Sequence, residues 1–458
     1  MTDHDTDEQN HSDAQNHTDE QVRAAQSAAL ELAKLSEQSR NDALRAIADA
    51  IDARHDEILA ANEKDVTEGE RLLEQGEYTQ ALVDRLKLSP SKLNSITEMV
   101  RSVAEQDDPL GKTLEARELD EDLELYKVAV PIGVVGSVFE SRPDALVQIA
   151  ALCLKSGNAV LLKGGSEASH SNRILFDIIR EATEAAADVP DGWAHLVEAR
   201  EDVDRMLELD ESIDLLMPRG SSAFVQYIQD NTSIPVLGHT EGICHVYVDR
   251  DADLSMAADI AFDAKVQYPA VCNAVETLLV HESVAADFLP DIVARYEEAG
   301  VEVRGDERVR ELVDVEAATE EDWSTEYGDL VVSVRVVDSL EDAVDHVTTY
   351  GSKHTDSIVT EDADRAGRFM RSVDSASVFH NASTRFADGY RFGLGAEVGI
   401  STGKIHARGP VGLEGLTTYK YHLEGDGHLV ATYAGEDAKP YTHREFEGTW
   451  TPGRRSRD

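Results

Sequence analysis

The sequence predicts an α/β protein built on doubly wound parallel sheets. Short β-rich runs alternate with helical patterns from residue 132 to about 229, and a second alternating block runs from about 242 to 415. A length of 458 residues is too great for one hydrophobic core and asks for two or three domains.

Taken in order, residues 1–20 are acidic, rich in Asn, Gln and His, and almost without apolar side chains. Such a stretch cannot bury enough surface to offset its ordering entropy and is expected to be disordered. His4, His11 and His17 are spaced too irregularly for a metal site. Residues 21–61 are patterned as helix, with Leu44, Ile47 and Ile51 on one face. Ser89-Pro90 opens another helix, whose Leu93, Ile96, Val100 and Val103 form an apolar stripe. Residues 123–130 are extended, and after Pro131 comes a strand over 132–139. A helix over 144–155, a strand over 159–162 and a long helix to about 187 follow. Strands over 195–197 and 215–217 and a helix over 222–229 close this block. In the second block strands fall at 277–280, 331–337 and 377–379. The tail 451–458 reads as loose, and no internal repeat is visible.

Acidic residues number 90 against 43 basic ones, a formal net charge of −47. That surface repels nucleic acid and anionic membranes, and resembles the solvated shell of proteins from salt-rich cytoplasm. No apolar run is long enough to span a bilayer, and no signal peptide is legible. Three cysteines, an odd and sparse count, argue for a reducing, cytoplasmic setting. Cys153 lies in an apolar helical stretch and reads as core. Cys244, before His245-Val-Tyr-Val248, also reads as structural.

Cys272 is different. It stands in Gln267-Tyr-Pro-Ala-Val-Cys-Asn-Ala-Val-Glu-Thr-Leu-Leu-Val280. Pro269 ends the preceding helix, and a strand follows, so the thiol is presented by an irregular turn. That suits a nucleophile attacking a carbonyl or an acyl phosphate. No convincing G-x-G-x-x-G accompanies it. What exists is Ala159-Val-Leu-Leu-Lys-Gly-Gly-Ser166, an apolar strand ending in a lysine and backbone that a phosphorylated ribose can approach. A second junction, Leu215-Leu-Met-Pro-Arg-Gly-Ser-Ser222, opens a helix whose free N–H groups suit a phosphate. Each junction alone is also an ordinary turn.

Together these segments resemble the aldehyde dehydrogenase superfamily, and within it the gamma-glutamyl phosphate reductases. The resemblance runs from roughly residue 21 to 421. It rests on Val130-Pro-Ile-Gly-Val-Val-Gly, Phe139-Glu-Ser-Arg-Pro143, Cys153-Leu-Lys-Ser-Gly-Asn-Ala159, Met217-Pro-Arg-Gly220 and Ile243-Cys-His-Val-Tyr-Val-Asp249. It also includes the Cys272 segment, Asn381-Ala-Ser-Thr-Arg-Phe386, Phe392-Gly-Leu-Gly-Ala-Glu-Val398 and His406-Ala-Arg-Gly-Pro410.

The resemblance implies an aldehyde dehydrogenase-like fold. A Rossmann-type cofactor domain spans 21–240 and an α/β catalytic domain 241–415. A small oligomerisation flap is made from 112–130 and residues after 416, in a homo-oligomer. It implies Cys272 as nucleophile, with backbone N–H groups near it, aided by Asn273, holding the oxyanion. NADP(H) would be held by Lys163, Gly164, Ser166, Gly220 and Ser221. Glu326 falls where the superfamily places a glutamate on the nicotinamide ribose, although the usual Phe-Gly-Pro is absent, and a solvated loop acid is the competing reading. The substrate is L-glutamyl 5-phosphate, with coupling to glutamate 5-kinase. Arg142, Asn381, Arg385, Glu397 and Arg408 are its candidate contacts, and no metal is expected. Ser141 stands where hydrolytic relatives carry an oxyanion-hole asparagine, and His239 near their water-activating glutamate. Two rivals stay open: an ordinary NAD(P)-linked aldehyde dehydrogenase, and a cysteine hydrolase pairing Cys272 with His239 or His245.

Overall fold

A computed structural model of the chain describes residues 3–186, 188–198 and 201–451, with side chains at the amino terminus from His17 onward. The chain divides into two units, residues 1–220, 228–236 and 412–458, and residues 221–227 and 237–411. The boundaries fall a few residues before the expected 240 and 415, and both flap segments group with the first unit.

In the first unit four parallel strands lie in the order Ala194–Val197, Ala159–Gly164, Val134–Phe139 and Leu215–Arg219. The central pair is buried along almost its whole length, as a sheet covered on both faces requires. The Ser89-Pro90 signal opens the helix Pro90–Glu105. The Ser89 side chain accepts from the Lys92 N–H at 3.2 Å, and the predicted apolar stripe is buried. The second sheet of this unit is an antiparallel ribbon. Its order is Thr417–Glu424, Leu123–Pro131, Thr113–Asp120 and Arg444–Glu445.

The acidic start departs from expectation. A helix runs from Asp3 to Leu32 where residues 1–20 were expected to be disordered. Tertiary partners explain it. Thr18 is fully buried and its hydroxyl donates to Asp202 at 2.7 Å, while Arg205 grips the Asp19 carboxylate at 2.7 and 3.0 Å. The tail 452–458 lies outside the described residues.

The main sheet of the second unit has seven strands, all paired parallel. Their order is Glu316–Ala317, Glu302–Gly305, Val331–Val337, Val275–His281, Cys244–Val248, Thr355–Val359 and Ser377–His380. Val246, Val248, Leu278, Val280, Val332 and Val334 pack beneath the helix Glu282–Glu298, which contributes Phe288, Leu289 and Ile292. A short antiparallel pair, Gly399–Ser401 with Gly409–Val411, completes it.

Candidate active site

Cys272 sits where the sequence places it. The helix Leu254–Val266, capped by Asp253, ends just before Pro269. A turn then leads into the strand Val275–His281, closed by the Ala274 N–H on the Val271 carbonyl at 2.9 Å. Cys272 is half-buried, whereas Cys153 and Cys244 are fully buried. Burial alone pushes the Cys153 thiol far above its ordinary value, which fixes it as core. The turn is seated on Gly242: a Cβ there would lie 2.0 Å from the Cys272 carbonyl oxygen, so no side chain fits.

Three neighbouring strands build the surroundings at their amino ends. Cys244 begins its strand, Cys272 lies three residues before the next, and His354 immediately precedes Thr355–Val359. Open parallel sheets more often bind ligands at the carboxyl ends. The Cys244 thiol donates to the Cys272 carbonyl at 3.2 Å and lies 3.6 Å from His354 Nδ1, so it buttresses the turn. A ring nitrogen of His239, a ring nitrogen of His354 and the Cys272 sulfur all lie within 4.8 Å of one another. The His239 and His354 rings meet edge to face at 5.0 Å, and His239 Nδ1 is 2.8 Å from the Ile400 carbonyl. That bond fixes Nδ1 as the protonated nitrogen and Nε2 as the basic one.

Arg385 is buried near the sulfur. Its Nε donates to Gln267 at 2.9 Å. Desolvation, then the charge of Arg391, pulls its pKa below the ordinary value, and Asp388 and Cys272 act in the opposite sense. Such a guanidinium, still charged at any working pH, favours anions. Asn273 is buried and donates to the Ala387 carbonyl at 2.8 Å, tying the Cys272 turn to the Arg385 loop. The peptide N–H groups of Cys272 and Asn273 find no acceptor among the described residues, which leaves them for a developing oxyanion.

In the first unit, Lys163 is buried at the carboxyl end of its strand, with Nζ donating to the Gly164 carbonyl at 2.7 Å. Desolvation lowers its pKa against the pull of Glu167, Asp202 and Glu198, so an arriving phosphate would restore lost stabilisation of the cation. Ser166 is exposed at the next turn. Ser141, in a left-handed conformation at φ 51°, gives both its N–H (2.6 Å) and its hydroxyl (2.9 Å) to the Glu167 carboxylate. Its hydroxyl is therefore spent, and Glu167 is held in place. Arg142 is exposed beside it, without an ion pair among the described residues. Gly220 and Ser221 precede the helix Ser222–Asp230, whose first hydroxyl bonds the Thr240 carbonyl at 2.5 Å.

Other candidates are committed elsewhere. Asn381, at φ 53°, bonds both backbone polar atoms of Thr360, at 2.9 and 3.0 Å, and so clamps the turn. Arg408 is held by the Asp374 carboxylate at 3.0 Å and the Asp374 carbonyl at 2.7 Å, a loop brace. Glu397 accepts from the Gly389 N–H at 2.8 Å. His245, proposed as a base in the hydrolase reading, is buried against Asp356 at 2.7 Å on the neighbouring register and is no member of the Cys272 cluster. Glu326 is half-buried beside the fully buried Glu276, which accepts from the Gly328 N–H at 3.3 Å. Glu276 pairs with Lys265 at 2.7 Å, both without exposure. His354 was not legible: nothing in the spacing of residues 272 and 354 reveals that their strands are near neighbours in the sheet. A cavity of about 400 Å³ lined by Arg308, Arg335 and His346 includes none of the Cys272 cluster.

These features match a known pattern. Residues 3–322 fit the profile of the aldehyde dehydrogenase family. Two curated proteins named gamma-glutamyl phosphate reductase are similar along almost the whole chain. The one from Natronomonas pharaonis is 76% identical over 94% of this chain and 98% of its own. The one from Haloquadratum walsbyi is 70% identical over 94% and 96%. The crystal structure of gamma-glutamyl phosphate reductase from Thermotoga maritima superposes with a TM-score of 0.86 at 42% identity, covering 90% of this chain and 99% of that one. The chain belongs to the aldehyde dehydrogenase family, whose members use a nicotinamide dinucleotide.

Proposed function

We propose that the chain reduces L-glutamyl 5-phosphate to L-glutamate 5-semialdehyde and phosphate with NADPH, in the proline branch of amino-acid biosynthesis. The single observation that carries this reading is what surrounds Cys272. The thiol is flanked by His239, His354 and Arg385. In the sequence, His239 stands near the position of the glutamate that activates water in hydrolytic relatives, and Ser141 at that of their oxyanion-hole asparagine. A site without those two groups suits a thioester removed by hydride. The high identity to proteins named for this reaction supports the substrate.

In this mechanism His239 Nε2 takes the Cys272 proton, and the thiolate attacks the acyl carbon. The bond between the acyl carbon and the bridging oxygen breaks, and phosphate departs with that electron pair toward the Arg385 guanidinium. A nicotinamide dinucleotide held by this chain would supply the hydride that reduces the thioester. The oxyanion that forms is held by the N–H groups of Cys272 and Asn273 until the C–S bond breaks and the aldehyde leaves. Asn273 positions the Arg385 loop through Ala387, and Arg142 and Glu397 remain candidates for the charged ends of the glutamyl group.

Lys163, Gly164, Ser166, Gly220, Ser221 and Glu326 are proposed to hold the cofactor, with NADP(H) preferred. The desolvated Lys163 gains from a 2′-phosphate, and no acid stands at Ser166 to repel it. Exposed Tyr419, Tyr421 and Leu423 on the edge strand Thr417–Glu424 support a homo-oligomer. Three unpaired cysteines support a cytoplasmic location, where coupling to glutamate 5-kinase would protect a labile acyl phosphate. Among the described residues no helix is long and apolar enough to cross a membrane. The test is NADP reduction with glutamate semialdehyde, which must require phosphate. Cys272→Ser should abolish it, and turnover without phosphate, or loss with Cys244→Ser instead, would overturn the assignment.

A further inference from the structure

The Cys272 cluster has a second chemistry. One thiol and two imidazoles converge within 4.8 Å, and His354 is fully buried. Its Nδ1 is occupied by the Thr355 hydroxyl at 2.9 Å, while its Nε2 has no partner among the described residues. A buried, unsatisfied ring nitrogen is costly unless something comes to meet it. We propose that Cys272, His239 and His354 form a reversible inhibitory site for a borderline-soft divalent cation, zinc above all, that masks the nucleophile. The inference rests on the reading of Cys272 as the reactive thiol.

The donor set decides which metal. Sulfur and imidazole nitrogen without a carboxylate suit zinc or cobalt, and not magnesium or calcium, which take oxygen. Zinc bonds of about 2.3 Å to sulfur and about 2.0–2.1 Å to nitrogen place tetrahedral donors roughly 3.5 Å apart. The cluster therefore needs to close by about an ångström, within the reach of side-chain rotation. Ile400 orients His239 through its carbonyl, the usual way an imidazole ligand is held. Binding displaces the thiol proton to solvent and leaves a metal thiolate with one open position for water. The sulfur's lone pair is then shared with the metal, so acylation cannot start until the metal leaves.

The surface of the same chain makes the distinction sharp. Ninety acidic residues would collect magnesium without discrimination, so general cation binding and this site predict opposite selectivity. The experiment titrates the full-length protein with cobalt in the absence of substrate, following the thiolate-to-cobalt absorption band. It then measures inhibition of turnover by zinc with excess magnesium present. One equivalent should develop the band, zinc should inhibit reversibly on chelation, and magnesium should do neither. Cys272→Ser should lose the band. His354→Gln and the half-exposed His239→Gln should each weaken cobalt at least about tenfold, and the second guards against misfolding of the first. A full-strength band in both histidine variants, or one surviving Cys272→Ser, overturns the proposal. A band without turnover on the acyl phosphate would instead overturn the functional reading and leave the metal site standing.

Discussion

Lys265 and Glu276 give the most quantitative forecast. Both are without solvent exposure, and Lys265 Nζ lies 2.7 Å from the Glu276 carboxylate. Burial pushes the Glu276 pKa up to about 7, with the Lys265 charge opposing, and burial pulls Lys265 down. Glu276 is thus an acid whose folded pKa exceeds its free value of 4.5. Its contribution to stability is full below pH 4.5 and is lost as pH rises toward 7. Above 7 the carboxylate forms beside Lys265 and the loss stops. In Lys265→Met no cation waits, the carboxyl stays neutral in the folded state, and the loss continues at about 1.4 kcal/mol per pH unit. The gap between variant and parent should therefore be nearly constant from pH 5 to 7 and reach roughly 3 kcal/mol more by pH 9, comparable with the usual cost of about 3–5 kcal/mol for breaking a buried pair. In a unit of this size that is roughly 6–12 °C in melting temperature. Thermal melts at half-unit pH intervals would show it, and Lys265→Met/Glu276→Gln should erase the divergence. Parallel curves for parent and Lys265→Met above pH 7 would refute the reasoning.

Three further outcomes follow from the same structure. Ser166→Glu should lower kcat/KM for NADPH roughly ten- to a hundredfold relative to NADH, since a charge-assisted phosphate contact is worth about 1.5–3 kcal/mol; equal use of both cofactors by the parent would sink this account. With a net charge of −47, melting temperature should rise from low to molar potassium chloride as self-repulsion is screened, and a flat or falling midpoint would exclude it. Gly242→Ala should cost about a hundredfold in turnover while circular dichroism stays unchanged, because its Cβ would collide with the Cys272 backbone and displace the sulfur; near-parental turnover would show that the turn gives way freely.

What was legible in the sequence was local. A proline ahead of a valine- and leucine-rich run announced the Cys272 turn, and Ser89-Pro90 announced a helix that its cap confirms. The strand Thr355–Val359 escaped because Asp356 and Ser357 break the apolar pattern. Both are fully buried, satisfied by His245, Ser375 and the Ala382 carbonyl, partners that only the fold supplies. Nor does spacing reveal that the neighbours of Asn381 and Arg408 in space are Thr360 and Asp374. Docking of Thr18 and Asp19 onto Asp202 and Arg205 likewise overrides a composition that argues for disorder. His354 came to Cys272 through parallel strand order, which residue spacing does not encode.

That strand order also imposes a timetable on the growing chain. The strand beginning at Cys244 is flanked by strands that start 31 residues later at Val275 and 111 residues later at Thr355. At ribosomal speeds of about 5–20 residues per second, Cys272 is made roughly 4–16 s before His354. Through that interval the nascent polypeptide carries the proposed nucleophile with the strands Thr355–Val359 and Ser377–His380 still unmade. A cell lacking reductant or chaperone capacity would damage this protein most readily while it is being translated, and pulse-labelled thiols on stalled chains would record the moment at which the sulfur becomes sheltered.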